Sequence, residues 1–245
     1  MKGMIFLLSC HHHKWKWPAI QQGWLKSCGL PYVIVVGNEQ LPPKSHHYDP
    51  VSHVLELGCM DNYDGLVYKI AYGINAVIER FNPDFVIKVD DDIILIPSRL
   101  RVVLAKIDPV KTIYAGNSIE ITKPEISISG MDKYTLPENK QPVMIEPVVY
   151  CGGPIYYLGK RAMEILQTDL IPQHIKFEDV NVGLTLNRRG IRPHHLPFYT
   201  DYHPNFMKEG WVAWHDTMRE HSQNIKPASH VFRNIGMPLF GSKPN

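Results

Sequence analysis

The stretch FVIKVDDDIILI, residues 85–96, sets three consecutive carboxylates, Asp90, Asp91 and Asp92, inside an apolar run that otherwise reads as a buried strand. Carboxylates about 6 Å apart repel by roughly 3 kcal/mol at an effective dielectric of about 20, so a positive partner is expected. Side chains alternate along an extended chain, which predicts Asp90 and Asp92 on one side and Asp91 on the other. Two carboxylates on one side suit a hard divalent ion such as Mg2+ or Mn2+, and such an ion keeps open positions for phosphate oxygens. A metal-bound diphosphate is therefore the expected partner. A solvated turn is the bland alternative, but Ile93 to Ile96 follow at once and put the acids at a kink inside packed structure.

Outward from this stretch the chain alternates strands with helices. GMIFLLSC (3–10) and PYVIVVGN (31–38) are short apolar runs of the interior parallel-strand type, with a helix expected between them. From Asp61 onward Leu66, Ile70, Ile74, Val77 and Phe81 recur at helical spacing until FNPD, where Pro83 bars α conformation at Asn82. PSRLRVVLAKIDP (97–109) predicts another helix. Residues 120–147, rich in Pro, Lys, Glu and Ser, read as a long loop or β-ribbon flanking a site. VVYCGGPIYYLGKRAMEIL (148–166) predicts a strand, a Gly-rich turn and a helix, and FEDVNVGLTLNRRGI (177–191) a short helix ended by Gly190. An aromatic, His-rich loop follows. The pattern is that of one α/β domain.

Composition narrows the function. The 26 basic and 24 acidic residues give a net charge of +2 without Lys/Arg blocks, which argues against nucleic acid as a partner. The apolar MIFLL near the start is far short of the roughly 20 residues that cross a bilayer, so no transmembrane segment is expected and the chain reads as cytoplasmic. Cys10, Cys28, Cys59 and Cys151 form no CxxC pair and read as buried thiols.

Further candidates lie downstream. Glu178 and Asp179 open a predicted helix, where free amides favour negative charge, and Asp179 can serve as a general base if that helix faces the acidic strand end. Gly152 and Gly153 either let backbone approach a ligand or make a tight turn. Trp211, Trp214 and the intervening aromatic segment can stack on a sugar or pack a core, and His215 sits among them. The clusters His11–His13, His46–His47 and His194–His195 lack metal-ligand spacing and read as surface or loop residues.

Taken in order, these motifs resemble the β-1,3-galactosyltransferase and Fringe-like family of inverting glycosyltransferases. KWPAIQQGWL (16–25) is similar to its RRxAIRxTWG element, and DNYDGLVYK (61–69) to DSYxNLTLK. FVIKVDDDIIL is similar to YVMKTDDDVFV, YCGGPIYYLGKRA to YCSGGGYVLSRDLA, and FEDVNVGLTLNRRGI to EDVYVGICLEKLGI. The departures are Lys16-Trp17 where the family has two arginines, exchanging a bidentate phosphate contact for a point charge, and Pro154 within the Gly-rich element.

The resemblance implies a single-domain GT-A fold, with residues 1–110 mainly binding the donor nucleotide, 111–223 mainly acceptor and catalysis, and 224–245 a C-terminal tail. It implies a UDP-sugar donor, a glycan or glycoconjugate acceptor and Mn2+ (or Mg2+). Asp92 and His215 would bind the metal, with Asp90 and Asp91 holding it or contacting the ribose. Lys16 and Lys69 would lie near the diphosphate, Asp61 and Ser9 near the nucleotide, and Asp179 would be the base. Gly152, Gly153, Glu178, Trp211 and Trp214 would face the sugars. The anchor and stem of animal members are missing from the sequence, which points to a microbial or viral enzyme.

Two other classes share part of this pattern. A nucleotidyltransferase would use the same acidic strand end but needs a Gly-rich basic loop that LSCHHHKWKWP lacks. A non-catalytic carbohydrate-binding module has no use for both DDD and EDV.

Overall fold

The computed structural model describes residues 2–108, 111–128, 130–173, 175–196, 198–200 and 213–215, with the backbone alone described for 199, 200, 214 and 215. The expected strand β1 (Gly3–Leu8) leads into a helical run that is broken rather than uniform. A 3-10 segment (His11–Lys16) passes into α1 (Trp17–Ile20), a π-type segment (Gln21–Leu25) and α2 (Lys26–Cys28). Pro18 is tolerated near the start of α1, where its missing N–H would have no partner, and Gly23 leaves helical geometry inside the π-type segment.

Then come β2 (Tyr32–Gly37), β3 (His46–Asp49), β4 (Val54–Leu57) and a 3-10 turn (Tyr63–Gly65) that feeds α3 (Leu66–Phe81). Asn82 ends α3 in the left-handed region at φ 43°, its N–H donating back to Val77 and Ile78. β5 (Phe85–Asp90) and β6 (Ile93–Leu95) flank the acidic turn and α4 (Pro97–Lys106) follows. β7 (Tyr114–Ile121), the ribbon β8 (Glu125–Ser127) with β9 (Val143–Ile145), β10 (Val148–Gly159), α5 (Lys160–Asp169) and α6 (Glu178–Arg188) complete the body. Short strands β11 (His194–His195), β12 (Tyr199–Thr200) and β13 (Ala213–His215) close the described chain.

Eight strands form one sheet in the order β11-β7-β10-β5-β1-β2-β4-β3. Its centre, β5-β1-β2-β4, is parallel, and β10 runs antiparallel to β5 and β7. Alternation along β1 sends Met4, Phe6 and Leu8 into a core shared with α3, α5 and α6. Ile5 and Leu7 point to the opposite core, with Trp17, Trp24 and α4. Apolar burial on both faces is why these strands read as continuous hydrophobic runs. The result is a central, largely parallel sheet flanked by helices on both faces, of the α/β class expected from the sequence. All four cysteines are free, and among the described residues no helix is long and apolar enough to cross a membrane.

The structure departs from the sequence pattern in two places. The Gly-rich element at 151–155 is not a turn between strand and helix: β10 runs through it, with its register shifted between Cys151 and Tyr156. Pro154 falls inside that irregularity, where its missing N–H costs no ladder bond. The aromatic segment after Gly190 is not loop throughout, because β13 pairs with β6 and β12 to make a second, three-stranded sheet.

Candidate active site

The carboxyl ends of β1 and β5 lie side by side, Leu8 opposite Asp90, and from them the acidic side chains diverge. Asp91 turns toward the helical run after β1. Its carboxylate accepts from Ser9 Oγ at 2.5 Å and pairs with His13 Nδ1 at 2.9 Å and Lys16 Nζ at 3.2 Å. Burial raises the Asp91 carboxyl, but His13, Lys16 and Ser9 together hold it below the ordinary carboxylate range. The hydrogen bond to Asp91 lifts His13 to about 10, so the imidazole is a cation at neutral pH. His13, read from its cluster as a loop residue, is in fact part of the site.

Asp90 faces the other side and meets Lys88, a lysine on the same face of β5 that is only 1% exposed. Lys88 Nζ lies 2.7 Å from Asp90 Oδ1 and 3.5 Å from Glu178 Oε2, and it donates to the Gly153 carbonyl. Burial pushes Asp90 up to about 8, with Asp92 and Glu178 adding to the rise against Lys88. The positive partners demanded by the acidic run are thus supplied in part by the chain itself. Lys88 was legible only as a charge inside a buried strand, two residues before Asp90. Replacing it with Met leaves Asp90 and Glu178 without their buried cation and should cost about 3–5 kcal/mol of stability. A raised folded carboxyl is favourable at low pH and loses its advantage as pH rises through its folded value. The loss of Tm in Lys88→Met should therefore be largest above about pH 8 and shrink toward pH 5, a trend that thermal melts across pH would measure.

Asp179 sits at the start of α6, partly buried, with Oδ2 accepting the Gly153 N–H at 3.0 Å and Oδ1 the Val180 N–H at 2.8 Å. Burial, then the neighbouring Glu178, pushes its carboxyl up to about 6 against those two N–H groups and Lys88. Glu178 is held by the buried Tyr156 hydroxyl. The bulge in β10 gives Gly153 its role: freed from the ladder, its N–H reaches Asp179 and its carbonyl reaches Lys88. One backbone residue so joins the acidic strand end to the helix that carries Asp179. A Cβ on Gly153 would lie 3.3 Å from Asp179 Oδ2 and 3.6 Å from Glu178 Oε2. Gly153→Ala should displace the Asp179 carboxylate by a few tenths of an ångström, a shift that a crystal structure of the variant would measure.

Lys69, Asp61 and Ser9 bond to one another and to the backbone nearby. Lys69, 1% exposed, lies 2.7 Å from Asp61 Oδ1 and donates to the Ser9 carbonyl at 2.9 Å. Asp61 also accepts the N–H groups of Gly37 and His11, tying together β2, the helical run and α3. Ser9 Oγ accepts from Trp17 Nε1 at 2.8 Å. Trp17, expected only as a departure from an arginine, thus orients the serine that binds Asp91.

Trp211 lies outside the described residues. Trp214 and His215 are placed by their backbone, opposite Ile94 and Ile93, so residue 215 lies beside the residue that follows Asp92. Among the described residues no three His, Cys, Asp or Glu side chains converge on a metal position. The donor chemistry nonetheless fits a hard cation, since Asp90 is crowded by Asp92 and Glu178.

An acidic strand end and a raised, backbone-held carboxylate are thus joined through Gly153 at one end of the sheet. The Galactosyltransferase family model matches residues 47–197, more than half of the chain, and the chain belongs to that family. It is 25% identical over 221 residues to beta-1,3-galactosyltransferase 5 of Homo sapiens, covering 84% of this chain and 69% of the relative. The Pan paniscus protein of the same name is 25% identical, with 84% and 71% covered. A solved glycosyltransferase involved in the glycosylation of the major capsid of PBCV-1 is 12% identical, covering 87% of this chain and 93% of that one at a TM-score of 0.48. The chain is a glycosyltransferase, and family membership sets aside the nucleotidyltransferase and binding-module readings.

Proposed function

We propose that the enzyme transfers a hexose, of galactose or N-acetylhexosamine type, from a UDP-sugar to a sugar hydroxyl with inversion, forming a β-1,3 linkage. The observation that carries this reading is Asp179: a carboxyl raised to about 6, held by two backbone N–H groups and linked through Gly153 to the acidic strand end. Asp179 takes the proton of the acceptor hydroxyl as its oxygen bonds to the anomeric carbon and the bond from that carbon to the diphosphate oxygen breaks. Glu178, fixed by Tyr156, orients that acceptor or its hydroxyl.

Mn2+ or Mg2+ held by Asp90, Asp92 and His215 would supply neutralisation of the charge on the departing diphosphate. Lys16 and His13 place positive charge beside Asp91, where it adds to the field that attracts the diphosphate. Ser9, Lys69 and Asp61, each engaged with other groups of the chain, hold that wall in place from behind. Thermal stabilisation by UDP with Mn2+, followed by a screen of UDP-sugars for metal-dependent hydrolysis and transfer, tests the reading. Absence of both stabilisation and hydrolysis with every UDP-sugar would refute it.

A further inference from the structure

Three aromatic rings lead from the turn before α3 to the start of α6. Tyr63 meets Tyr134 edge to face, with centroids 5.2 Å apart, and Tyr134 meets Phe177 at 6.5 Å. Phe177 directly precedes Glu178 and Asp179. Tyr134 is 2% exposed while Tyr63 keeps 39% of its surface open, so a fixed inner ring backs an accessible outer one. Lys133 Nζ lies over the Tyr63 ring, 5.3 Å from its centroid, so the cation covers part of that ring.

The segment carrying Tyr134 is tied down at both ends. Asp64, 4% exposed, accepts the N–H of Thr135 at 2.8 Å, the N–H of Leu136 and the Asn139 amide at 2.8 Å. At the other side Lys176 Nζ donates to the carbonyls of Asn139 and Gln141, and the Tyr134 hydroxyl donates to the Lys176 carbonyl at 3.3 Å. These hydrogen bonds compensate the burial of the Asp64 carboxylate and order the strap against it. What the strap fixes is Tyr134 behind Tyr63.

We infer that Tyr63, backed by Tyr134 on this strap, is the platform on which the pyranose ring of the acceptor packs, with Asp64 as its positioning residue. The inference rests on the proposed function, since the acceptor is the sugar that must reach Asp179. The aromatic ladder ends two residues before that carboxylate. A charged diphosphate gains little from a tyrosine face, whereas the C–H face of a neutral sugar gains both apolar contact and exclusion of water. His13 and Lys16 cluster on Asp91, while Lys133 over the Tyr63 ring is an ammonium able to donate to a sugar hydroxyl.

The test uses the full chain, UDP-galactose or UDP-N-acetylglucosamine as donor, and methyl β-galactoside and methyl β-N-acetylglucosaminide as acceptor probes. Tyr63→Ala should raise acceptor KM about tenfold, with UDP affinity and acceptor-free donor hydrolysis unchanged. Tyr63→Phe should restore most of the acceptor binding, and Asp64→Asn should raise acceptor KM while sparing UDP affinity. Unchanged acceptor KM in Tyr63→Ala, or UDP affinity falling in step with it, overturns the platform. Transfer by the wild-type chain with a normal Tyr63→Ala variant refutes this inference alone, whereas a wild-type chain that hydrolyses donor yet glycosylates no sugar refutes the proposed function as well.

Discussion

Asp179→Asn is expected to lower kcat by roughly 10² to 10⁴ while leaving the affinity for UDP with Mn2+ intact. The amide keeps the size of the side chain but cannot accept the acceptor proton. It also has one carbonyl oxygen where the carboxylate offers two, and both carboxylate oxygens receive backbone N–H groups, from Gly153 and from Val180. One of those contacts is lost, but the neutral amide also escapes the burial and the Glu178 repulsion that raise the carboxyl, so Tm at neutral pH should stay near that of the wild type. The wild-type pH profile gives an independent check. A base must be deprotonated, and burial beside Glu178 lifts this carboxyl to about 6. kcat/KM should therefore rise about tenfold per pH unit below that value and level off above it. Glu178→Gln should be milder, because its link to Tyr156 can survive as an amide hydrogen bond. Near-normal transfer by Asp179→Asn, measured beside calorimetry with UDP, would remove the base assignment and leave the fold untouched.

The parts of the molecule legible in the sequence are those where a single physical rule acts without competition. β1, β2 and β5 are buried on both faces, so their apolar runs needed no tertiary information. α3 announced its start, its inward face and its stop at Asn82-Pro83. The bulge in β10 was misread because glycines in a row signal a turn and a strand irregularity equally well; the choice depends on β5 and β7 holding the strand from both sides. β12 and β13, of two and three residues, are too short for any period to emerge.

The site divides along the same line. Carboxylates grouped within a few residues stood out, but their partners come from far along the chain. Lys88 reaches Gly153, and Asp64 reaches Thr135 and Asn139. His13 illustrates the difficulty, since the run of three histidines suggested a loop, and only the adjacency of β1 and β5 gives its ring a carboxylate to meet. Lys88 did leave a local trace: a charge between Ile87 and Val89, on the face of the strand that two residues later presents Asp90.

The other large effect is expected at Asp92, where replacement by Ala should abolish turnover and Mn2+-dependent UDP binding without loss of fold. The two halves of this prediction come from the same crowding. Asp92 contributes to holding the Asp90 carboxyl up at about 8, so removing it lets Asp90 ionise more readily beside Lys88. A folded carboxyl raised above its unfolded value costs stability as pH climbs through that interval, so relief of the shift should leave Tm at neutral pH equal to or above that of the wild type. Cation binding depends on the opposite property. A hard divalent ion is attracted by several carboxylate oxygens together, and taking away one donor forfeits both a ligand and part of the field. Calorimetry with UDP, with and without Mn2+, separates these effects from a simple loss of folding. If Asp92→Ala turns over at the wild-type rate at ordinary Mn2+ concentrations, the acidic turn is a structural knot of Lys88, Lys16 and His13, and the cation site lies elsewhere.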